Sequence, residues 1–170
     1  MHPIIRTFLL GALLVSPIIH SADNALTLRN QHLFRYLLMD IYTAELYAPA
    51  QAPLEQLLAS DQAARLTLRY HRNIARKDLI KAAQTTLRRQ HGENDLSLWQ
   101  AELDTLHSRF SDIKDGDSYS LERSAEGTLT LRHNGTLSYQ SDTPGLATLY
   151  LGIWLGEDGL SDSLRSALLQ

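Results

Sequence analysis

At 170 residues, with 16 basic and 19 acidic side chains and a formal net charge of −3, the chain is long enough for one domain with a sizeable core and lacks the basic surplus of a nucleic-acid binder. A hydrophobic content of 44% against 21% charged residues belongs to a folded chain and excludes a disordered one. The sequence has no cysteine, which excludes a disulfide framework, a thiol nucleophile, an iron–sulfur cluster and any cysteine zinc site.

Residues 1–22 follow the order of a secretory signal peptide. Arg6 supplies the positive charge, Phe8 to Val15 are continuously apolar, Pro17 breaks the run, and the small residues Ser21 and Ala22 precede Asp23. The apolar run is too short for a bilayer span, which takes about 20 residues. Cleavage after Ala22 removes Arg6 and predicts a mature domain over 23–170 with 15 basic and 19 acidic residues, a net charge of −4 and a periplasmic location. No later segment is apolar enough for a membrane span.

Residues 26–47 are rich in Leu, Tyr, Ile and Thr and predict β structure ending at Pro49. Pro53 to Ala59 predicts a short helix with proline in its first turn, where no amide donor is missed. Arg65 to Tyr70 alternate, placing Leu66, Leu68 and Tyr70 on one strand face. A helix is expected from about Ile74 to Gln90, with Leu79, Ile80, Ala83 and Leu87 as its apolar stripe, Arg88 and Arg89 at its negative end, and Gly92 as its stop. A second helix is expected from Asp95 as N-cap, with Trp99, Leu103, Leu106 and Phe110 at helical spacing. Both tryptophans, Trp99 and Trp154, sit on apolar stripes and are expected in the core.

Residues 117–140 return to β structure. Gly127 closes a three-residue loop, which pairs Leu121 with Leu131 and Tyr119 with His133. Asn134-Gly135 marks the next hairpin. A plain two-residue turn there would set Leu131 opposite Ser138, off the apolar face, so a bulge or longer loop is expected. Residues 144–170 predict two helices separated by Gly156 to Gly159. No repeat or linker interrupts the chain, and the elements describe one α+β domain.

Three stretches in this order resemble the bacterial, secreted branch of the chalcone isomerase-like family: Leu33-Phe-Arg-Tyr-Leu-Leu-Met-Asp-Ile-Tyr-Thr-Ala-Glu-Leu-Tyr47, Asp112-Ile-Lys-Asp-Gly-Asp117, and Ile153-Trp-Leu-Gly156 followed by Leu160 to Leu169. The resemblance implies an open-faced β-sandwich, a large antiparallel sheet with helices packed on one face and a ligand cleft between them. Plant members of the family close a chalcone to a flavanone, and related members bind long-chain fatty acids through an early-strand Arg and Tyr. Here those positions correspond to Arg35 and Tyr42. A guanidinium offers a planar fork to a carboxylate and a phenol adds one donor. Leu66, Leu68, Leu79 and Ala83 are expected as cleft walls. Arg35 and Tyr42 are seven residues apart, so they converge only if a turn or bulge falls between Tyr36 and Asp40.

The plant enzyme's catalytic Tyr and Asn fall near Ala75 and Ala82, and neither methyl can donate a hydrogen bond, so chalcone cyclisation is not expected. No cofactor is implied. The mature histidines His32, His71, His91, His107 and His133 show no metal-ligand spacing, so no metal site is expected. Arg72, Arg76, Lys77, Lys81, Arg88 and Arg89 are read as a solvated face, contact with anionic lipid being the other reading. The favoured function is non-catalytic binding of a fatty acid or similar amphipathic carboxylate. The alternatives are an isomerase or intramolecular lyase using Arg35 as an oxyanion stabiliser, and an envelope protein-interaction scaffold with a collapsed cleft.

Overall fold

Alternating apolar and polar side chains drive six strands, β1 (Leu26–Tyr36), β2 (Met39–Pro49), β3 (Ala64–Tyr70), β4 (Ser118–Arg123), β5 (Leu129–His133) and β6 (Thr136–Ser141). The computed structural model describes residues 25–170, and the segment read as a signal peptide lies outside the described residues. The strands form one antiparallel sheet in chain order. Four helices complete the domain: α1 (Arg76–Ser97), α2 (Gln100–Ser108), α3 (Leu146–Leu155) and α4 (Asp162–Leu169). The expected α+β fold with helices against an open sheet is therefore present.

Cross-strand pairing shows why one face is buried. Leu46, Leu66, Leu121, Leu131 and Tyr139 lie in one row across β2 to β6, and Ala44, Leu68, Tyr119 and His133 lie in the next. Each fully buried leucine in such a row contributes roughly 1.5–3 kcal/mol. The opposite face carries Arg65, Arg69, Glu45 and Glu122. There Arg69 Nε donates to Glu45 at 2.6 Å and Arg65 lies 3.6 Å from Glu122. A sheet with one apolar and one charged face can pack on one side only.

The β4–β5–β6 registers match the sequence expectation. Tyr119 pairs with His133 and Leu121 with Leu131, and Gly127 closes the loop at φ +90°. A shift between Leu131 and Arg132 restores Leu131 to Tyr139 despite the tight Asn134-Gly135 turn. The β span read over 26–47 is a hairpin of two strands, reversed at Leu37 and Leu38.

The helical layer differs in detail. The predicted helix at 53–59 is reduced to a 3-10 turn at Leu54–Gln56. Gly92 breaks the helical path at φ +73°, but helix resumes at once, so Asp95 lies inside α1 and is no N-cap. The next helix begins at Gln100, after Trp99. Arg89 serves no helix end of its own: Nε donates to Asp158 O at 2.8 Å, in the α3–α4 joint. Helix α3 is buried along nearly its whole length, as an all-apolar helix must be, and packs between the sheet and α1 and α4.

Two loops fasten this layer. Ala75 offers α1 no side-chain cap, and Asp112 supplies one by accepting from Arg76 N at 2.8 Å. An isolated antiparallel bridge joins Ile74 to Ile113, and Asp117 accepts from Lys114 N at 2.8 Å. The Asp112–Asp117 stretch thus clamps the entry of α1 to the start of β4. Among the described residues no helix is long and apolar enough to cross a membrane.

Candidate functional site

The apolar face of the sheet and the helices do not meet everywhere. Between them lies a cavity of about 430 Å3, within the range of about 300–1,000 Å3 common for small-molecule sites. Its floor comes from the strands, including Phe34, Tyr42, Leu66, Leu68, Tyr70, Tyr119, Leu121 and Leu131. Its roof comes from Leu79, Ala82 and Ala83 of α1, Tyr150, Ile153 and Trp154 of α3, and Phe110 and Leu160 beside them. The lining residues most open to solvent are Tyr36, at the end of β1, and Asp78 and Ala82 on α1, which places the mouth between the β1–β2 hairpin and that helix.

The electrostatics of this space are unusual for an anion site. Among the described residues Asp78 is the only charged one in the lining, and no Lys or Arg joins it. The polar groups are phenols and one indole. Trp154 Nε1 donates to the Tyr42 hydroxyl at 3.1 Å, Ser111 N donates to the Tyr119 hydroxyl at 2.9 Å, and the Tyr150 hydroxyl meets His107 Nε2 at 3.1 Å. Tyr42 and Tyr70 stand edge to face with ring centroids 5.6 Å apart. The Tyr42 and Tyr70 protons have no acceptor among the described residues.

Burial holds the phenols of Tyr42, Tyr70, Tyr119 and Tyr150 in the protonated state. It pushes the pKa of Tyr42 up against the opposing Trp154 hydrogen bond, and it raises Tyr70 and Tyr150, neighbouring tyrosines adding to the effect. Tyr119 is also raised, again chiefly by burial. A neutral phenol with a free proton can donate to a carbonyl or carboxyl oxygen but cannot act as a base. Both tyrosines line the cavity, so the pair offers two donors to an occupant that brings an acceptor.

Of the residues singled out from the sequence, Tyr42, Leu66, Leu68, Leu79 and Ala83 line this cavity, and Arg35 does not. The expected convergence of Arg35 with Tyr42 is corrected by the strand geometry. Phe34 pairs with Tyr42, a bulge leaves Ile41 as the extra residue, and Arg35 pairs with Asp40. Alternation sends Phe34 and Tyr36 to the cavity and Arg35 to the other side. Its Nε donates to Asp40 at 2.6 Å, and its side chain is 63% exposed, in a shallow groove at the sheet edge. The turn needed to bring the two together exists, but it is followed by one residue too many.

Trp154 is corrected as well: it lines the cavity rather than filling the core. The sequence reading put Tyr70 and Tyr119 on the apolar face but missed their part in the site, as it did for Phe34, Tyr150 and Asp78. The available signal was the tyrosine that closes the alternation of β3 and the one that opens that of β4, where leucine would serve a plain core equally well. Ala82 presents only a methyl to the cavity, and Ala75 lies outside its lining. Among the described residues no group of three or more His, Asp or Glu is placed to hold a metal ion.

Residues 13–170 match the family model described as chalcone isomerase-like. No curated protein matches the sequence. Among solved structures the fold is similar to that of an Arabidopsis thaliana fatty-acid binding protein, with a TM-score of 0.65 at 16% identity, covering 89% of this chain and 88% of that one.

Proposed function

This chain belongs to the chalcone isomerase-like family, and from that premise we propose that it is a non-catalytic binding protein for a fatty acid or a similar long-chain amphiphile. The observation that carries the proposal is the cavity itself: an apolar space with phenolic donors inside and, among the described residues, no cation in its walls. The plant protein of similar fold, described as fatty-acid binding, supports the same class of ligand. Each methylene transferred into the cavity contributes roughly 0.8 kcal/mol, so an acyl chain alone supplies most of the affinity.

The polar end then needs orientation rather than charge neutralisation. A carboxyl or other carbonyl oxygen placed at Tyr42 and Tyr70 would accept both free phenolic protons. Leu66, Leu68, Leu79 and Ala83 would contact the chain. The neutral form is favoured, because an unpaired carboxylate in such walls carries a large desolvation cost. Isomerisation has less support: the buried phenols stay protonated, and Arg35, paired with Asp40, is outside the cavity lining and not placed to steady an oxyanion there. A collapsed scaffold also has less support, because the space is open.

Native mass spectrometry of the purified protein is expected to show retained acyl chains. In titrations of the delipidated protein, Tyr42→Phe and Tyr70→Phe should each weaken a fatty acid about five- to tenfold, a hydrogen bond's worth. Arg35→Ala should leave affinity unchanged. A protein that emerges empty and takes up no labelled fatty acid would sink the proposal. Loss of affinity in Arg35→Ala alone would move the polar end to the sheet edge. The same proposal places the mature protein in the periplasm, supported by the residue order at 1–22. A mature N-terminus at Asp23 in an osmotic-shock fraction is the expected result.

A further inference from the structure

The β1–β2 hairpin ends in four consecutive large apolar residues turned to solvent. Tyr36 is 60% exposed, Leu37 74%, Leu38 97% and Met39 42%. Leu37 and Leu38 form the turn at φ +47° and +65°. Asn-Gly is the favoured solution for such a pair, and a left-handed backbone costs other residues roughly 1–2 kcal/mol each. A turn that only reversed the chain would gain stability and solubility from polar residues at both positions.

The surroundings narrow what this tip meets. Arg72 Nη1 lies 2.7 Å from Met39 Sδ, and Arg72 has no acidic partner within salt-bridge distance among the described residues. Arg35, on the same hairpin, is held by Asp40. The apolar tip is thus backed by one pair that neutralises itself and one uncompensated cation. Tyr36 and Ile41, at the base of the tip, also line the cavity, with Asp78 across its mouth.

We propose that this hairpin docks the protein on a phospholipid bilayer. Leu37 and Leu38 enter the acyl boundary, Tyr36 sits at headgroup level as an amphipathic ring does, and Arg72 meets a lipid phosphate. The cavity mouth then faces the membrane, and an apolar ligand can pass between bilayer and cavity without crossing water. A convex two-residue turn offers far less than the roughly 800 Å2 per partner of a stable dimer, whereas a fluid interface accepts protruding side chains without a matching surface. The docking rests on the hairpin alone. The ligand route also rests on the binding function proposed above.

The absence of cysteine allows a single label. Leu38→Cys carrying an environment-sensitive fluorophore is mixed with vesicles of phosphatidylcholine, with and without phosphatidylglycerol. The emission is expected to shift to the blue on both, with tighter binding when phosphatidylglycerol is present. The double variant Leu37→Asn/Leu38→Gly should lose vesicle partition by about tenfold or more, while its thermal midpoint holds or rises. Arg72→Gln should remove the phosphatidylglycerol increment only. An unshifted label, or a double variant that partitions like the parent, overturns the proposal. So does a shift that appears without vesicles as protein concentration rises, because that assigns the tip to a second copy. Uptake of soluble labelled fatty acid by the double variant should equal that of the parent, so failure of docking and failure of binding are read separately.

Discussion

Arg123 is a guanidinium on the buried side of β4, only 3% exposed. It donates to Leu57 O at 2.6 Å, Gln62 O at 2.8 Å, Leu58 O at 3.4 Å and Thr148 Oγ1 at 2.8 Å, so it ties the loop after β2 to α3. No carboxylate within salt-bridge distance compensates it among the described residues. Burial lowers its pKa, opposed by Asp61, but arginine stays charged. Arg123→Met is expected to cost about 2–4 kcal/mol in urea unfolding, since several carbonyls lose their donor together. Arg123→Lys should recover little of it, because one ammonium cannot span the same fork.

His107 makes the opposite choice and stays neutral. Burial pushes its pKa down to about 4, with Arg76 adding to the effect and Asp104 opposing it. The ordinary value, which the unfolded chain keeps, is 6.5. As pH falls below that value, the unfolded chain takes up a proton that the folded chain refuses. Stability from this group is therefore full above pH 6.5 and declines toward pH 4. Urea midpoints measured across that window should fall for the parent. His107→Gln, lower in stability at neutral pH, should fall less steeply.

At the scale of elements, the α3–α4 joint depends on close approach. A Cβ on Gly156 would stand 2.7 Å from Gly152 O, and one on Gly159 would stand 2.8 Å from Ile153 O. The same carbonyls are in use: Gln90 Nε2 donates to Gly152 O at 2.8 Å and Leu160 N to Ile153 O at 2.7 Å. Backbone atoms cannot yield as a flexible side chain can, so Gly159→Ala should lower stability by about 1–3 kcal/mol, read as a lower thermal midpoint. The damage should reach the cavity, because Ile153, Trp154 and Leu160 line it.

Elements were legible in the sequence where side-chain period and turn chemistry agree. In β4 to β6 the leucine and tyrosine alternation and two glycine turns left one register that keeps the apolar residues together, and the bulge followed from that demand. In β1 and β2 the reversal at Leu37-Leu38 carries no turn residue, so the strands read as one span and the side of Arg35 could not be assigned. The break at Gly92 was visible, but the immediate return to helix was not, because a left-handed glycine marks a stop without fixing the conformation of the residues beyond it. Cavity lining was half legible: alternation places Leu66, Leu68 and Tyr70 on one face, whereas a void depends on how far helices stand off a sheet.

At the scale of the whole molecule, the cavity is a packing deficit retained by the fold. Ala83 is 6% exposed and lines the cavity on α1, where a larger aliphatic side chain has room to enter. Ala83→Leu should therefore keep or raise the thermal midpoint, by up to about 1 kcal/mol of stability, while sharply reducing uptake of labelled fatty acid. Lower stability with unchanged uptake would show that this position packs too tightly to reach the void.

The sheet meanders in chain order, with one long excursion between β3 and β4 that carries α1 and α2. Every other strand junction is closed by a shorter connection, so β1–β3 and β4–β6 can each assemble as a local unit. The seam between these two leaves, Leu66 against Leu121 and Leu68 against Tyr119, runs beneath the cavity. A guest lying across it would touch both leaves at once and act as a rivet between them. Hydrogen exchange should report this directly: loading with fatty acid should slow the amides of β3 and β4 more than those of the β5–β6 hairpin.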